Sequence, residues 1–241
     1  MTTRAVLFDF GGTLYDYSTL LPGDAESLLQ LCQWAGVTAD AAAIRRAQRE
    51  SMRRVFHTYL PQRYYLHRDL FRDAIVGTLE ALGVTPAPEH LARYREMQWR
   101  MHARDFRLRD GVVETLRALR ERGLHVGMVS NIDDDQLEHL IEVAGLRAHF
   151  DSLLSSESVN SCKPDPAIFS EALQRAGCNA SEALFVGDTL AQDIAGAQRM
   201  GMRTALIWHR ADKEPAFDDV RPEFVIREIP QLLAVIEEIG G

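Results

Sequence analysis

Residues Ala5–Asp16, AVLFDFGGTLYD, lie near the start of the chain and carry the clearest indication of its fold. This stretch opens with an apolar run, Ala5–Phe10, in which Asp9 is the single polar residue. A continuous apolar run is typical of a buried strand in a parallel sheet. The two glycines that follow, Gly11 and Gly12, allow the backbone to turn tightly just after the acid. The stretch therefore predicts a buried strand that delivers one carboxylate to its carboxyl end.

Further apolar runs predict the other strands of the same sheet. They are His125–Ser130, Ala183–Gly187 and Thr204–Trp208, with Phe150–Leu154 and Glu223–Ile226 as shorter candidates. Helical patterns alternate with these runs, at Gly111–Arg122, Asp134–Ala144, Pro166–Ala176 and Ala191–Met200. Alternating strands and helices indicate a doubly wound, Rossmann-like α/β core with a parallel sheet.

The segment between the first strand and its sheet partners has a different pattern. It predicts no strand and four helices, at Asp24–Ala35, Ala39–Phe56, Leu66–Leu82 and Pro88–Arg104. We therefore expect an α/β core of residues 1–15 and 106–241, with an inserted all-helical domain of residues 16–105. The expected hinges are Tyr17–Gly23, which contains a Pro-Gly pair, and Asp105–Asp110.

Composition narrows the class of protein. The 241 residues are 46% hydrophobic, and 35 acidic against 27 basic residues give a formal net charge of -8. This balance argues against a general nucleic-acid binder. Three cysteines, at Cys32, Cys162 and Cys178, match no zinc spacing and fit free thiols in a reducing compartment. The sequence contains no apolar run of the roughly 20 residues that span a bilayer, so we expect no membrane partner. Together with the cysteines and the charge, this predicts a cytoplasmic protein without a nucleic-acid partner. We expect a monomer or a homodimer.

Polar side chains follow three of the predicted strands, at the edge where parallel sheets bind ligands. Asp9 lies at the end of the first strand, Ser130 ends the second and is followed by Asn131, and Asp188 follows the third. Lys163 precedes a helix that can reach the same edge. Two carboxylates suit Mg²⁺, while hydroxyl and ammonium groups suit a phosphoryl group. The pattern therefore predicts a site for a metal and a small anionic substrate.

Four motifs in this order resemble the haloacid dehalogenase superfamily, in its members with a helical cap inserted after the first motif. The motifs are DFGGT (residues 9–13), VSN (residues 129–131), CKPDPAIF (residues 162–169) and GDTLAQD (residues 187–193). The resemblance covers nearly the whole chain. It implies a Mg²⁺-dependent hydrolase, and most directly a phosphatase that acts on a small phosphomonoester through an aspartyl-phosphate.

The resemblance also implies a role for each matching residue. Asp9 would be the nucleophile, with Lys163 and Ser130 as its catalytic partners. Gly12, Thr13, Ser130, Asn131 and Lys163 would bind the substrate. The metal ligands would be Asp9, the backbone carbonyl of Gly11, Asp188 and, directly or through water, Asp193.

Gly11 departs from the family pattern, because phosphatases of this family usually carry a second aspartate there as general acid and base. Three accounts are compatible with this glycine. The chain is a phosphatase that is slow or uses a surrogate such as a cap residue, the substrate or Tyr15. Alternatively, it is a metal-independent 2-haloacid dehalogenase-like hydrolase, because halide leaves without a proton, or a non-catalytic phosphate- or metabolite-binding protein.

Two further sequence features bear on these accounts. The acids Asp188 and Asp193 of the fourth motif are intact, and this favours a metal site and hence the phosphatase. The related phosphonate-cleaving enzymes need a cap lysine for a Schiff base, and residues 16–105 contain no lysine.

Overall fold

The predicted apolar runs form one parallel sheet in the computed structural model, which describes residues 2–209, 215 and 217–240. Its strands are β1 (Ala5–Phe8), β2 (His125–Ser130), β3 (Ser152–Ser155), β4 (Ala183–Gly187), β5 (Arg203–Ile207) and β6 (Phe224–Ile226). Within the described residues the strand order is β3-β2-β1-β4-β5-β6, and every pairing is parallel. The doubly wound α/β fold predicted from the sequence is confirmed.

The first strand occupies the centre of this sheet. Leu7 pairs with Gly127 of β2 on one side and with Phe185 of β4 on the other. All four residues of β1 are fully buried. The strand ends at Phe8, two residues earlier than predicted, although the Asp9 N–H still donates to the Val186 carbonyl at 2.8 Å. The chain turns away after this bond, and the turn puts the Asp9 side chain at the carboxyl edge of the sheet.

The chain divides into two compact units, Met1–Asp16 with Arg107–Gly241 and Tyr17–Phe106. The second unit consists of helices α1 (Leu21–Trp34), α2 (Ala41–Tyr59), α3 (His67–Ala81) and α4 (Pro88–Asp105), with one short 3-10 turn before them. Helix α1 packs on α4, and α2 packs on α3. Apolar side chains from all four helices form its core, among them Leu28, Leu31, Ile44, Leu79 and Tyr94.

The hinge predicted at Tyr17–Gly23 is wrong in its second half, because α1 begins at Leu21. Proline is favourable in the first turn of a helix, since the N–H that it lacks has no helical partner there. Gly23 is buried, and a Cβ at this position would lie 2.7 Å from the Cβ of Met101 on α4. The Pro-Gly pair therefore serves a helix start and a close helix contact.

The remaining helices belong to the α/β unit. They are α5 (Val112–Glu121), α6 (Asp134–Ala144), α7 (Ser156–Val159), α8 (Pro166–Ala176), α9 (Ala195–Arg199) and α10 (Leu232–Gly240). Helix α8 packs on the sheet, where Phe169 meets Phe185 edge to face at a centroid distance of 5.2 Å. Among the described residues, no helix has both the length and the apolar character that crossing a bilayer requires.

Candidate active site

Asp9 lies at the centre of a buried polar cluster directly after β1. Its side chain is only 9% exposed. One carboxylate oxygen, Oδ2, accepts a hydrogen bond from the Thr13 hydroxyl at 3.0 Å, and the other, Oδ1, lies 2.6 Å from Nζ of Lys163. Both oxygens are thus held in place by a donor.

The turn after Asp9 brings the backbone against a second carboxylate. Gly12 has a φ of +83°, and a Cβ built on it would lie 2.2 Å from Oδ2 of Asp188. Any side chain at this position would therefore collide with Asp188 and also strain the backbone. Of the two glycines predicted to form the turn, Gly12 is the one with positive φ, while Gly11 forms a bridge with Tyr15.

Asp193 reaches the cluster through an irregular helix start. The helix predicted over Ala191–Met200 begins as a π-helical turn, Leu190–Ile194, before α9. Oδ2 of Asp193 accepts hydrogen bonds from the N–H and the hydroxyl of Thr189, at 2.9 and 2.7 Å. Such turns are frequent at functional sites, because they redirect a side chain within a helix.

A second glycine makes room for Asp193. A Cβ at Gly187 would lie 2.4 Å from the Cβ of Asp193. Residue 187 must therefore be a glycine so that Asp193 can pack against it, while Asp188 supplies a carboxylate.

Lys163 connects two of the three carboxylates. Its Nζ lies 2.6 Å from Oδ1 of Asp9 and 2.6 Å from Oδ1 of Asp193, and its side chain is 1% exposed. Asn131 holds the backbone of this lysine with two hydrogen bonds. The Asn131 amide donates to the Lys163 carbonyl at 3.0 Å and accepts from the Lys163 N–H at 2.7 Å. Asn131 therefore positions Lys163, and its contact with a substrate stays a prediction.

Burial controls the protonation of this cluster. Desolvation raises the pKa of Asp9 to about 6 from its ordinary 3.8, because Lys163 offsets only part of the cost. Desolvation also raises the pKa of Asp188 to about 8, and the charges of Asp9 and Asp193 add to the rise. Burial alone would lower the pKa of Lys163, but the carboxylates of Asp193 and Asp9 outweigh it and raise the pKa. Lys163 is therefore a cation that faces more negative charge than it can balance.

The cluster suits a hard divalent cation. One carboxylate oxygen from each of Asp9, Asp188 and Asp193 lies within 4.8 Å of the others. Carboxylate oxygens are the ligands that Mg²⁺ prefers, and a dication would balance the charge that Lys163 leaves uncompensated. These three side chains can hold a metal ion, whereas the contribution of the Gly11 carbonyl stays a prediction.

Two other predicted substrate residues, Ser130 and Thr13, are buried. Ser130 is the last residue of β2 and is 5% exposed. Thr13 is fully buried, and its hydroxyl is engaged with Asp9. Their contacts with a substrate stay predictions.

Two residues that were not predicted from the sequence contact the turn at Gly12. Arg109 donates from Nη2 to the Gly12 carbonyl at 2.9 Å, and His209 approaches the same oxygen with Nε2 at 2.8 Å. A signal for His209 was present, because it follows the predicted strand Thr204–Trp208 directly. Arg109 lies in a predicted hinge, where no local pattern indicates a contact with the site.

Comparisons with known proteins agree with this architecture. Residues 3–201 match the model of the haloacid dehalogenase-like hydrolase family. Haloacid dehalogenase-like hydrolase domain-containing protein 3 of Mus musculus is 32% identical over 84% of this chain and 82% of its own length. Glyceraldehyde 3-phosphate phosphatase of Methanopyrus kandleri is 33% identical over 98% of both chains.

Solved structures lead to the same family. The crystal structure of an L-2-haloacid dehalogenase is 28% identical, covers 98% of this chain and 100% of its own, and superposes with a TM-score of 0.73. The family model covers most of the chain, and two of the relatives are more than 30% identical over most of it. This chain is an enzyme that belongs to the haloacid dehalogenase-like hydrolase family.

Proposed function

We propose that this hydrolase is a Mg²⁺-dependent phosphatase that acts on a small phosphomonoester through an aspartyl-phosphate on Asp9. The observation that carries the proposal is the convergence of Asp9, Asp188 and Asp193, two of which, Asp9 and Asp193, also contact the ammonium group of Lys163. Phosphoryl transfer needs a nucleophile, a bound dication and a fixed positive charge. Asp9 can supply the nucleophile, the excess of carboxylates can bind the dication, and Lys163 carries the positive charge.

Asp9, Asp188 and Asp193 would hold the metal, together with the Gly11 carbonyl. When bound, Mg²⁺ would neutralise charge on the phosphoryl oxygens and orient them. The protein's own part is to supply the ligands in a buried place, where charges interact strongly.

The contacts of Asp9 support it as the nucleophile, with Lys163 as its partner. An oxygen of the ionised Asp9 carboxylate attacks phosphorus, the bond to the ester oxygen breaks, and that oxygen takes a proton from solvent water, because Gly11 supplies no acid. Water then attacks the phosphorus of the aspartyl-phosphate, loses a proton to the solvent, and releases inorganic phosphate and the free Asp9 carboxylate. Lys163 lies beside the attacking carboxylate, so its charge offsets the negative charge that develops on the transferring group. Ser130 is the last residue of β2 and Asn131 follows it, and both would contact the phosphoryl group.

The relative from Methanopyrus kandleri supports the substrate class. Its name assigns it a small phosphorylated sugar, glyceraldehyde 3-phosphate, and it aligns with this chain over 98% of both lengths. We therefore place the substrate of this enzyme among small phosphomonoesters.

A second candidate function is dehalogenation of a 2-haloacid. Gly11 offers no acid for a leaving group, and a solved dehalogenase superposes on this chain. However, a 2-haloacid is itself an anion, and the metal-free cluster, with three acidic side chains against one lysine, keeps an excess of negative charge that would repel it. The charge balance therefore favours the metal and the phosphatase.

The test compares both chemistries on one preparation. After EDTA treatment, the protein is assayed with p-nitrophenyl phosphate and glyceraldehyde 3-phosphate, with and without added MgCl₂, and with 2-chloropropionate. We expect phosphate release that depends on Mg²⁺ and no chloride release. Chloride release without metal would replace this proposal with the dehalogenase, and no turnover of any substrate would favour a binding protein.

A further inference from the structure

Two side chains from distant parts of the chain donate to one backbone oxygen beside the nucleophile. Nη2 of Arg109 lies 2.9 Å and Nε2 of His209 lies 2.8 Å from the Gly12 carbonyl. Arg109 follows the helical unit in sequence, and His209 lies two residues after β5. A carbonyl oxygen has two lone pairs, so this arrangement saturates it.

The peptide group that these donors hold, between Gly12 and Thr13, lies between a residue that packs on Asp188 and a residue that donates to Asp9. On one side of it, Gly12 packs so closely on Asp188 that a Cβ would lie 2.2 Å from the carboxylate. On the other side, the Thr13 hydroxyl donates to Asp9 at 3.0 Å. A shift of this peptide group would move the supports of both carboxylates together.

Arg109 is itself held at several points. Its backbone N–H donates to the Leu14 carbonyl at 2.9 Å, and Leu108 forms a bridge with Tyr15. Its guanidinium lies 3.6 Å from the Asp16 carboxylate and is 18% exposed. Arg109 thus contacts residues 12, 14 and 16, so its position is fixed along the whole turn.

The imidazole of His209 acts as a neutral donor. Burial lowers its pKa, and the positive charge of Arg109 lowers it further, against the hydrogen bond to Gly12 and the charge of Asp16. A neutral ring that donates from Nε2 needs no charge to hold the carbonyl. Glutamine can replace such a donor, whereas leucine cannot.

We propose that Arg109 and His209 are positioning residues, which fix Gly12 against Asp188 and Thr13 against Asp9 through the shared Gly12 carbonyl. The inference rests on the proposed phosphatase function, because it concerns the geometry of the same reaction. Positioning errors in a catalytic group lower the rate more than they lower substrate affinity.

The experiment measures kcat and KM with p-nitrophenyl phosphate and Mg²⁺ for His209→Leu, His209→Gln, Arg109→Met and Arg109→Lys. We expect kcat to fall about tenfold in His209→Leu and about 10- to 100-fold in Arg109→Met, with KM changed by less than about threefold. His209→Gln keeps a donor and is expected to restore most of kcat. Melting temperatures of all variants show whether each is folded at the assay temperature.

Matched controls lie at the opposite, amino end of the sheet. Arg120 also donates to a backbone carbonyl, that of Ala148, and pairs with Asp151, while His125 also makes one hydrogen bond, to Ser152. Arg120→Met and His125→Leu are expected to keep the kcat of the wild type.

The outcomes separate the two proposals. A wild type that releases phosphate, with unchanged kcat in folded His209→Leu and Arg109→Met, overturns the positioning inference alone. Equal losses in the control variants, or no recovery in a folded His209→Gln, overturn it as well. If a leucine or methionine variant does not fold, His209→Gln and Arg109→Lys decide, because a positioning role predicts a nearly normal KM with partial kcat. A wild type without phosphatase activity overturns the proposed function and the inference with it.

Discussion

The two ends of the parallel sheet carry the same types of side chain and differ in chemistry. At the carboxyl end, Arg109 and His209 hold the turn that carries Asp9. At the amino end, Arg120 and His125 surround the start of β3, beside Asp151. Residue type alone therefore does not distinguish the two ends.

Burial distinguishes them. The Asp151 and Arg120 side chains are 30% and 41% exposed, and exposed pairs of this kind contribute little because water screens them. The Asp9 and Lys163 side chains are 9% and 1% exposed, so water cannot compensate their charges. A groove of about 590 Å³ lies at the amino end as well, but the arginines that line it already pair with glutamates, Arg147 with Glu138 and Arg175 with Glu171. An excess of buried negative charge, rather than a concave surface, marks the active end.

Removal of one aspartate from each end of the sheet should produce the largest difference in rate between the two ends. We expect Asp9→Asn to lower kcat by roughly 10⁴-fold or more, because the amide cannot form the covalent intermediate. Asp151→Asn is the matched control at the amino end and is expected to keep the wild-type rate. Phosphate release from p-nitrophenyl phosphate measures both. Comparable losses in the two variants would show that the carboxyl-end cluster has no special role.

A substitution at the carboxyl end of the sheet should also raise the rate. Gly11→Asp supplies the acid that family phosphatases usually carry, and we expect kcat to rise by roughly 10- to 10³-fold. Gly11→Asn is the matched control, since it adds the same volume without a group that transfers protons. A rise in the aspartate variant alone supports a missing proton shuttle. An unchanged rate in folded Gly11→Asp would mean that another group already transfers the proton.

The smallest expected effect is on stability and follows from the raised pKa of Asp188. Because burial raises this pKa from 3.8 to about 8, the folded protein binds a proton that the unfolded chain releases. Stability contributed by this proton is therefore lost as the pH rises from about 4 to about 8. Between pH 5 and pH 8, the melting temperature of the metal-free wild type should fall by about a few degrees more than that of Asp188→Asn. This order of magnitude follows from how much a change in stability shifts the melting temperature of a domain of this size.

Mg²⁺ provides the control for this measurement. A bound dication stabilises the ionised carboxylates, so added Mg²⁺ should raise the melting temperature of the wild type most at high pH. Asp188→Asn should gain less. A wild type whose melting temperature shows the same pH dependence as that of the variant would contradict the buried-carboxylate account.

The sequence predicted best those elements whose signals are local. Helices α6 and α8 have the predicted bounds, and each ends at a glycine in the left-handed region, Gly145 and Gly177. Helix α8 also begins with its own cap, because the Asp165 side chain accepts from the Ala167 N–H. Capping residues lie within a few positions of the helix end that they stabilise, so a local sequence pattern is enough to predict them.

Prediction was less accurate where distant contacts set the ends. The strand predicted over Ala5–Phe10 stops at Phe8, because the turn carries Asp9 towards Lys163. The helix predicted over Ala191–Met200 starts with a π-helical turn, where Asp193 bonds to Thr189 and Lys163. Each deviation places a carboxylate in the cluster.

The sequence alone was enough to predict the parallel α/β fold and the candidates Asp9 and Asp188, because apolar runs and the residues at their ends are local features. Lys163 was predicted from its place before a helix, and Asp193 from the resemblance of the fourth motif. How these groups are held depends on contacts between distant parts of the chain. The Gly12 carbonyl accepts from residues that lie 97 and 197 positions away in the chain, and Asn131 holds the backbone of a lysine 32 positions away. Such hydrogen bonds depend on the packed positions of separate strands and loops, and no local pattern of polarity specifies those positions.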